Sequence, residues 1–506
     1  MLTDLQSKIY LHNTYCNRKE QFKPLQAGEV KIYVCGPTVY DFIHIGNARP
    51  MITFDVFRHF LEFVGYKVTY MQNFTDIDDK LIKRSQKENC EMLDIAERFI
   101  NEYEHDSKSL NVEDADIQPR ATQTIPQIID MVGKLIDKGY AYVGKEGVYF
   151  KVRSLKSYGC LSGHNLDDLV GGQRTLIHDS QSDKQDDFDF AVWKFQKPGE
   201  PAWEAPFGAG RPGWHIECSA MILKHLGEQI DIHCGGQDLI FPHHENEVAQ
   251  SMAYTGKLLA NYWLHNAYIN VDNVKMSKSL GNFWTIRDLS KKFDYRVIRY
   301  FMLSAHYRSP INFSVAILQS AEKALQRIDE NMANYRFLLS KQNLAEKTES
   351  DVLAELEQLD WSFESELNFK DCAYDDTVLD KAIKQSQCVY MNALADDLNT
   401  ALAMSEIFNL IYATNCYLEQ VKRVNYDLLA LALATLNLFV KLLGINKASA
   451  ADSEIKPEVM DLLEQRQAAR ANKNYALADE LRDKLKELGY SIKDTAQGPQ
   501  LIKLGE

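Results

Sequence analysis

The sequence lacks an apolar run of the kind that crosses a membrane. No stretch reaches the ~18 uncharged apolar residues that a transmembrane helix needs. The nearest one, LLALALATLNLFVKLL at 428–443, contains Asn437 and Lys441 and is better interpreted as a core helix. The N-terminus also lacks a basic segment followed by an apolar core, so we predict neither a signal peptide nor a membrane partner.

Cysteine is sparse, and positive charge is outweighed by negative charge. Nine cysteines among 506 residues do not make a disulfide framework, which predicts reduced thiols and a cytoplasmic location. The formal net charge of −14 excludes a protein that coats nucleic acid over its whole surface. It does not exclude a local basic groove, because phosphate contacts depend on where the cations lie. The length predicts about three or four domains.

The apolar pattern predicts an α/β fold with a parallel sheet. We expect a buried strand over 30–35, a helix over 47–65 with one apolar face, and a second strand over 67–74. This strand–helix–strand order is a βαβ unit. A second unit comes much later, with a glycine-ended strand over 229–236 and a helix that begins after Pro242.

The segments outside these two units have other patterns. Residues 117–213 mix a helical stretch, a hairpin-like stretch and turns rich in Gly and Pro, which predicts an insertion into the sheet domain. From about 315 onward the pattern is almost wholly helical, and an acidic segment at 342–387 has no recognisable motif. A linker rich in Ser and Ala at 446–454 precedes a small tail of mixed charge.

The sequence HIGN at 44–47 is the first candidate binding motif. A helix N-terminus offers unpaired N–H groups and the positive end of the helix dipole, so phosphate binds there readily. Gly46 would let the backbone approach a ligand closely. The alternative is purely structural, because Asn47 is also a good helix cap.

The sequence KMSKSLGN at 275–282 is the second candidate binding motif. Lys275 and Lys278, with hydroxyls between them and a glycine beyond, would form a cationic loop that neutralises charge developing on a polyphosphate. The alternative is an exposed turn with solvated lysines. The loop follows a strand-like stretch about 230 residues after HIGN, and this pairing in this order is highly specific.

These two motifs resemble the signatures of class I aminoacyl-tRNA synthetases, the first of which is usually written HIGH. Together with YVCGPTVYDFIHIGNAR, NFTDIDDKLIKR, GRPGWHIECSAM and DLIFPHHENEVAQS, they are similar to the cysteinyl-tRNA synthetase family. The resemblance is strong over about 20–310 and weaker beyond. Asn47 departs from the class motif, in which a second His stands at that position, so an ionised role there is in doubt.

The resemblance implies a domain order. A Rossmann-type parallel-sheet catalytic domain would occupy 1–116 and 225–265, interrupted by a connective, acceptor-binding insertion over 117–224. A stem-contact region with the KMSKS loop would follow over 266–314. An α-helical anticodon-binding bundle over 315–445 and a small C-terminal tRNA-binding domain over 455–506 would complete the chain.

The resemblance also implies one Zn²⁺ per chain, bound by Cys35, Cys218, His243 and Glu247. The residue pattern gives independent support, because His243 and Glu247 are four apart on a predicted helix and therefore face the same side. Two thiolates, an imidazole and a carboxylate suit tetrahedral zinc. The pattern leaves alternatives open: a buried Cys is usually just a small apolar residue. The residues that could replace the family's ligands are His215, His233, Cys234 and His244.

The implied reaction is the activation of L-cysteine with Mg-ATP and its transfer to tRNA(Cys). In this interpretation His44, Gly46, Asn47 and Lys278 bind ATP, and Lys275 supports Lys278. The residues implied for the amino-acid pocket are Cys35, Gly36, Thr75, Trp214 and Asp238. Zinc would select the thiol of cysteine over the hydroxyl of serine, and the chain is expected to be a monomer.

Two other functions are weighed against this one. A ligase that activates cysteine and transfers it to an amino-sugar would share both ATP motifs and the metal site, but it lacks an anticodon-binding region. A non-catalytic, zinc-containing RNA-binding protein would have no reason to keep both ATP motifs. The length of the chain beyond the KMSKS loop, about 190 residues, favours the synthetase.

Overall fold

The structure is a computed structural model of the chain. It describes residues 2–166, 183–275, 283–361, 372–447, 457–495 and 498–503. Among these residues, no helix combines the length and the apolar character that crossing a bilayer would require.

A four-stranded parallel sheet forms the centre of the molecule, as the apolar pattern predicts. Its strands lie in the order Ala260–Asn266, Ile230–Gly236, Glu29–Val34 and Lys67–Gln72. The inner strands are buried on both faces, which fits a run of β-branched and aromatic residues. The second strand ends at Gln72 instead of continuing to 74, because Asn73 turns its side chain to Gly36 and Tyr33.

The helix Ile45–Phe63 connects the first two strands of this sheet. It begins two residues earlier than the predicted 47, because His44 caps it. The later helix, Glu245–Thr255, starts after a turn at Ile240–His244 in which Phe241 is extended. Its start is therefore a few residues later than the expected position just after Pro242.

The insertion has an antiparallel sheet and a hydrophobic core of its own. Its strands are Ala141–Val143, Gly147–Phe150, Phe190–Phe195 and Gly210–Pro212, in that order. The core around Val148 and Trp193 also includes Ile216 and Ala249 from flanking helices. These shared side chains pack the insertion against helices Trp214–His225 and Glu245–Thr255.

The region after the sheet domain is helical, as predicted. Its helices span Val315–Ser340, Glu349–Glu357, Asp376–Ala395, Thr400–Gln420 and Tyr426–Leu442. The tail contains helices Pro457–Ala471 and Tyr475–Glu487 and an antiparallel hairpin of Tyr490–Thr495 and Gly498–Lys503. Part of the acidic 342–387 segment and most of the 446–454 linker lie outside the described residues. The predicted domain boundaries stay predictions.

The remaining elements surround the sheet domain. The other helices are Thr3–Gln6, Asp79–Glu88, Met92–Ser109, Ile125–Asp137, Trp214–His225, Ile286–Ser290 and Tyr295–Leu303. The other strands are the hairpin Tyr10–Asn13 and Arg18–Gln21 and a small sheet of Ile269–Val271, Val274–Lys275 and Ile311–Phe313. Arg299 of helix Tyr295–Leu303 links the sheet domain to the end of the bundle. Its guanidinium lies 2.5 Å from the buried Asp55 carboxylate and donates to the Leu443 carbonyl at 2.7 Å.

Candidate active site

A cavity of about 480 Å³ opens at the carboxyl edge of the central sheet. Loops that follow the strands line it, as expected for an open parallel sheet. The predicted site residues among its lining are Cys35, Gly36, His44, Gly46, Asn47, Thr75, Trp214, Cys218, Asp238 and His243. Most of the predicted site residues, which lie far apart in the sequence, therefore share one cavity.

The HIGN motif forms the N-terminus of the helix Ile45–Phe63 at one side of this cavity. The His44 Nδ1 accepts a hydrogen bond from the Asn47 backbone N–H at 3.2 Å, and the Asn47 Oδ1 accepts one from the His44 N–H at 3.1 Å. This reciprocal pair is a capping box. His44, rather than Asn47, is thus the cap, and Asn47 sits one turn inside with its oxygen already engaged.

Gly36 lies where two loops cross at very short range. A Cβ at this position would come within 1.6 Å of the Asn73 carbonyl oxygen. The Gly36 N–H donates instead to the Asn73 Oδ1 at 2.8 Å. Only glycine permits this approach, which sets the path of the loop between Cys35 and His44.

Cys35, Cys218, His243 and Glu247 converge at the base of the cavity, and one donor atom from each lies within 4.8 Å of the others. The Cys218 Sγ is 3.6 Å from the His243 Nε2, which is 3.1 Å from the Glu247 Oε1. The Cys35 Sγ is 3.8 Å from the same oxygen. A tetrahedron with arms of ~2.0–2.3 Å has edges of ~3.3–3.8 Å, so the spacing and the donor types both fit zinc.

The charges of this cluster also favour a cation. Burial acts to raise the pKa of Glu247, but the nearby His233 and His243 lower it to about 2. A hydrogen bond from Cys35 lowers the pKa of Cys218 to about 6 despite burial. Despite burial, the same two anions raise the pKa of His243 to about 10, so at neutral pH the metal-free cluster holds two buried anions and one imidazolium. A metal ion bound to the His243 nitrogen would take the place of that proton and compensate both anions.

The rival histidines named from the sequence lie directly behind these donors. The His233 Nε2 is 2.9 Å from the Glu247 Oε2, so it holds the carboxylate oxygen that faces away from His243. The His215 Nδ1 is 2.9 Å from the His243 Nδ1, and the His244 Nε2 is 3.2 Å from the Cys35 Sγ. Such contacts orient metal ligands from the second layer of a site.

A second set of donors is close enough to hold an ion, so the cluster is not unique. It comprises Cys35, His233, His244 and Glu247. Burial and the neighbouring His233 lower the pKa of His244 well below its usual value, which leaves a neutral imidazole. The set with two thiols matches zinc chemistry better, because both sulfur donors are included. Cys234 is buried in the neighbouring strand and belongs to neither set.

Three of the five residues predicted for the amino-acid pocket, Thr75, Trp214 and Asp238, line the same cavity as the cluster. The Trp214 ring lies 4.1 Å from the His243 ring, and the indole is 40% exposed to the cavity side. Thr75 is buried, and its backbone N–H donates to the Pro37 carbonyl at 3.2 Å. Asp238 is exposed just beyond the glycine-ended strand.

The KMSKS motif can be followed only to its start. Lys275 ends the short strand Val274–Lys275, which pairs with Ile269–Val271 beside the cavity. Lys278 lies outside the described residues. Phe283, just after the motif, lines the cavity, and its ring lies 5.1 Å from the His44 ring. The chain just after the motif is therefore close to HIGN.

The structure adds participants that the motifs did not single out. The His265 Nε2 is 2.8 Å from the His244 Nδ1, and the Thr14 Oγ1 is 2.8 Å from the His265 Nδ1. His233 is not one of the four donors of the two-thiol set, but it contacts one of them, Glu247. The sequence contains a signal for the role of His233, because a polar His inside the buried strand Ile230–Gly236 requires a hydrogen-bond partner.

Comparison with known proteins gives matches along most of the chain. Residues 21–323 match the family model described as tRNA synthetases class I (C) catalytic domain. Residues 389–447 match the DALR domain, and residues 452–500 match the cysteinyl-tRNA ligase anticodon binding domain.

A full-length relative and two solved structures are also similar. A cysteine–tRNA ligase from Caldicellulosiruptor saccharolyticus is 47% identical over 495 residues, which cover 98% of this chain and 99% of the relative. Two structures of Mycobacterium tuberculosis methionyl-tRNA synthetase with methionyl-adenylate have TM-scores of 0.56 and 0.57 at 13% identity. Each match covers 82% of this chain and 90% of that one. The structural likeness shows the fold alone.

Proposed function

The chain belongs to the cysteine–tRNA ligases of class I, and we propose that it activates L-cysteine with ATP and transfers it to the 3′-terminal adenosine of tRNA(Cys). The observation that supports this proposal is that two proposed binding sites lie at one cavity. The Cys35–Cys218–His243–Glu247 cluster and the HIGN helix start line or border the same cavity. The proposed thiol-binding cluster and the proposed phosphate-binding helix start would therefore be close enough for one small substrate to contact both.

The cluster would hold one zinc ion per chain, with Cys35, Cys218, His243 and Glu247 as ligands. Such an ion supplies a site for a deprotonated thiol, which the harder and far less acidic hydroxyl of serine fits poorly. Cys35 is the partly exposed member of the four, so the cluster faces the cavity on the side where the amino acid would enter.

The other pocket residues would orient the substrate. Asp238 is exposed at the cavity wall and would face the substrate ammonium. Thr75 and Trp214 would enclose the side chain, with Gly36 leaving room for the backbone. These proposed contacts would direct the cysteine carboxylate toward the HIGN helix, where the α-phosphate of ATP is proposed to bind.

Adenylate formation then depends on positioning and charge. The cysteine carboxylate attacks the α-phosphate of Mg-ATP in line and releases pyrophosphate, so little covalent chemistry falls to the protein. His44, Gly46 and Asn47 would hold phosphate and adenosine at the helix N-terminus. Because the Asn47 oxygen is engaged in the cap, its amide NH₂ is the group proposed to donate to ATP.

The KMSKS lysines would act on the leaving pyrophosphate. Lys278, supported by Lys275, is proposed to stabilise the charge that develops there. We expect Lys278→Ala to slow adenylate formation far more than it weakens cysteine binding. Pre-steady-state adenylate formation and calorimetric cysteine binding measure the two effects, and equal losses would contradict the assignment.

The acceptor of the cysteinyl group is proposed to be tRNA. The matched anticodon-binding and DALR domains support this choice. They also make transfer to an amino-sugar the less favoured alternative. The insertion would receive the acceptor end, and the helical bundle and tail would contact the anticodon arm.

The deciding assay measures ATP–pyrophosphate exchange with cysteine, followed by charging of a tRNA(Cys) transcript. We expect exchange with cysteine, very little with serine, and one zinc per purified chain. Removing the metal with a chelator should lower the discrimination between the two amino acids toward the ~10–200-fold that an apolar pocket provides. Cysteine-dependent exchange without transfer to the transcript would refute the tRNA ligase assignment and support the amino-sugar alternative.

A further inference from the structure

The cavity continues past the residues assigned above to an end built from aromatic side chains and one cation. Tyr40, Phe42 and Lys80 line this end, and the buried Phe99 lies behind Phe42 with its ring 5.5 Å away. The proposed reaction assigns no role to Tyr40 or Lys80. We call these two residues and Phe42 the outer wall.

Two neighbouring loops fix the outer wall. The Val39 N–H donates to the Thr75 carbonyl at 3.2 Å, and the Thr75 N–H donates to the Pro37 carbonyl at 3.2 Å. The loop that carries Tyr40 therefore runs beside the loop that leads to Lys80. The Lys80 Nζ lies 5.1 Å from the centre of the Tyr40 ring, a cation–π contact.

Lys80 differs from the other cations near this wall. Arg84 is paired with Asp41 at 3.2 Å and Glu88 at 2.7 Å, so its charge is compensated. Among the described residues that line the cavity, Lys80 is the one Lys or Arg, and no described carboxylate lies within ion-pair distance of its ammonium. An exposed, uncompensated cation beside aromatic rings is suited to a nucleotide phosphate with an adjacent base.

The outer wall also lies where the sheet domain meets the insertion. Asp79, next to Lys80 in the chain, pairs with Lys194 at 2.8 Å and with Arg211, both on strands of the insertion. The insertion is the part proposed to receive the acceptor end. Lys80 therefore lines the cavity next to the point where the insertion contacts the sheet domain.

We infer that the outer wall binds the single-stranded 3′ end of tRNA, with Lys80 on a backbone phosphate and Tyr40 providing a ring for stacking. This inference rests on the proposed function and adds to it the residues that position the acceptor strand. Unstacked bases on aromatic rings with a cation on the backbone are the usual basis of single-strand recognition. The ATP phosphates are assigned to the HIGN helix and the KMSKS loop, so Lys80 acts in transfer.

The first experiment separates the two half-reactions in the full-length chain. We expect Lys80→Ala to slow single-turnover transfer from preformed cysteinyl-adenylate by about tenfold at subsaturating tRNA(Cys) transcript. Cysteine-dependent ATP–pyrophosphate exchange should change less than about twofold. Lys80→Arg should recover most of the transfer rate, because it keeps the charge.

Lys83 supplies the matched control, because it is exposed on the same helix and does not line the cavity. Lys83→Ala should leave both half-reactions unchanged. An equal loss of exchange and transfer in Lys80→Ala would overturn the inference and place Lys80 on ATP. Absence of exchange in the unmodified protein would instead refute the proposed function, so the two failures are distinguishable.

The second experiment tests whether Lys80 contacts the 3′ strand directly. Binding of the intact transcript is compared with binding of a transcript trimmed of its last three nucleotides. Lys80→Ala should weaken binding of the intact form about tenfold and leave the trimmed form unaffected. It should also reduce the slope of log affinity against log salt by about 0.7, the value for one single-strand phosphate contact. Equal losses for both transcripts, or an unchanged slope, would refute the contact.

Discussion

The sharpest prediction concerns Cys218, the buried thiol of the proposed zinc site. We expect Cys218→Ser to lower zinc affinity by more than about 100-fold, since removal of even an outer-layer partner typically costs about 10–100-fold. Two features of the structure lead us to expect this loss of zinc affinity. The Cys218 Sγ lies 3.6 Å from the His243 Nε2, close to a tetrahedral edge, and the pKa of the thiol is lowered to about 6 by Cys35. Serine offers no comparable anion at neutral pH.

The assay is metal content after dialysis, followed by the ratio of kcat/KM for cysteine to that for serine in exchange. Zinc should fall from one per chain to a small fraction, and the ratio should fall toward the ~10–200-fold that an apolar pocket provides. Cys234→Ala is the matched control, because Cys234 is buried nearby and belongs to neither donor set. Full zinc occupancy in Cys218→Ser, or zinc loss in the control, would refute the assigned ligand set.

Three further predictions test the frame of the site. Gly36→Ala should abolish exchange and lower Tm, since the new Cβ would stand 1.6 Å from the Asn73 carbonyl oxygen; near-normal exchange would contradict the crossing of the two loops. Arg299→Ala should lower the free energy of unfolding by about 3–5 kcal/mol in urea titrations, because it removes the guanidinium 2.5 Å from the buried Asp55 carboxylate and leaves only the Glu113 N–H and the more distant His59 near it; a loss below about 1 kcal/mol would argue against that pair. Asp79→Asn should lower Tm at pH 7. Burial acts to raise the pKa of Asp79, but its two cationic partners on the insertion lower it to about 2. Their contribution is therefore full above the unfolded pKa of ~3.9 and is lost as pH falls through about 2. The Tm difference should thus shrink between pH 4 and pH 2, and a constant difference would exclude the ion pairs as its cause.

Short-range patterns determined the elements, and some of their ends were wrong for identifiable reasons. The predicted helix start at 47 missed the cap, because His44 acts as the N-cap only when its ring nitrogen meets the Asn47 N–H. The predicted end of the second strand at 74 missed Asn73, which leaves the strand to hold Gly36. In both cases a loop side chain forms a hydrogen bond that changes where the element begins or ends, and the periodicity of apolar residues does not predict such hydrogen bonds.

The sequence by itself determined the parallel α/β sheet, the helical region that follows it and the family, because periodicity and motifs are local properties of the chain. The residue pattern left the crowded histidines as rivals, and the family resemblance alone pointed to His243; the tertiary structure shows that His243 lies beside the Cys218 thiol and that His233 and His244 lie behind the donor set. His233, His243 and His244 are equivalent by residue type, and their roles differ through a few ångströms of placement relative to Glu247. That placement depends on the packing of two strands and a helix that are some two hundred residues from Cys35, and spacing along the chain cannot encode it.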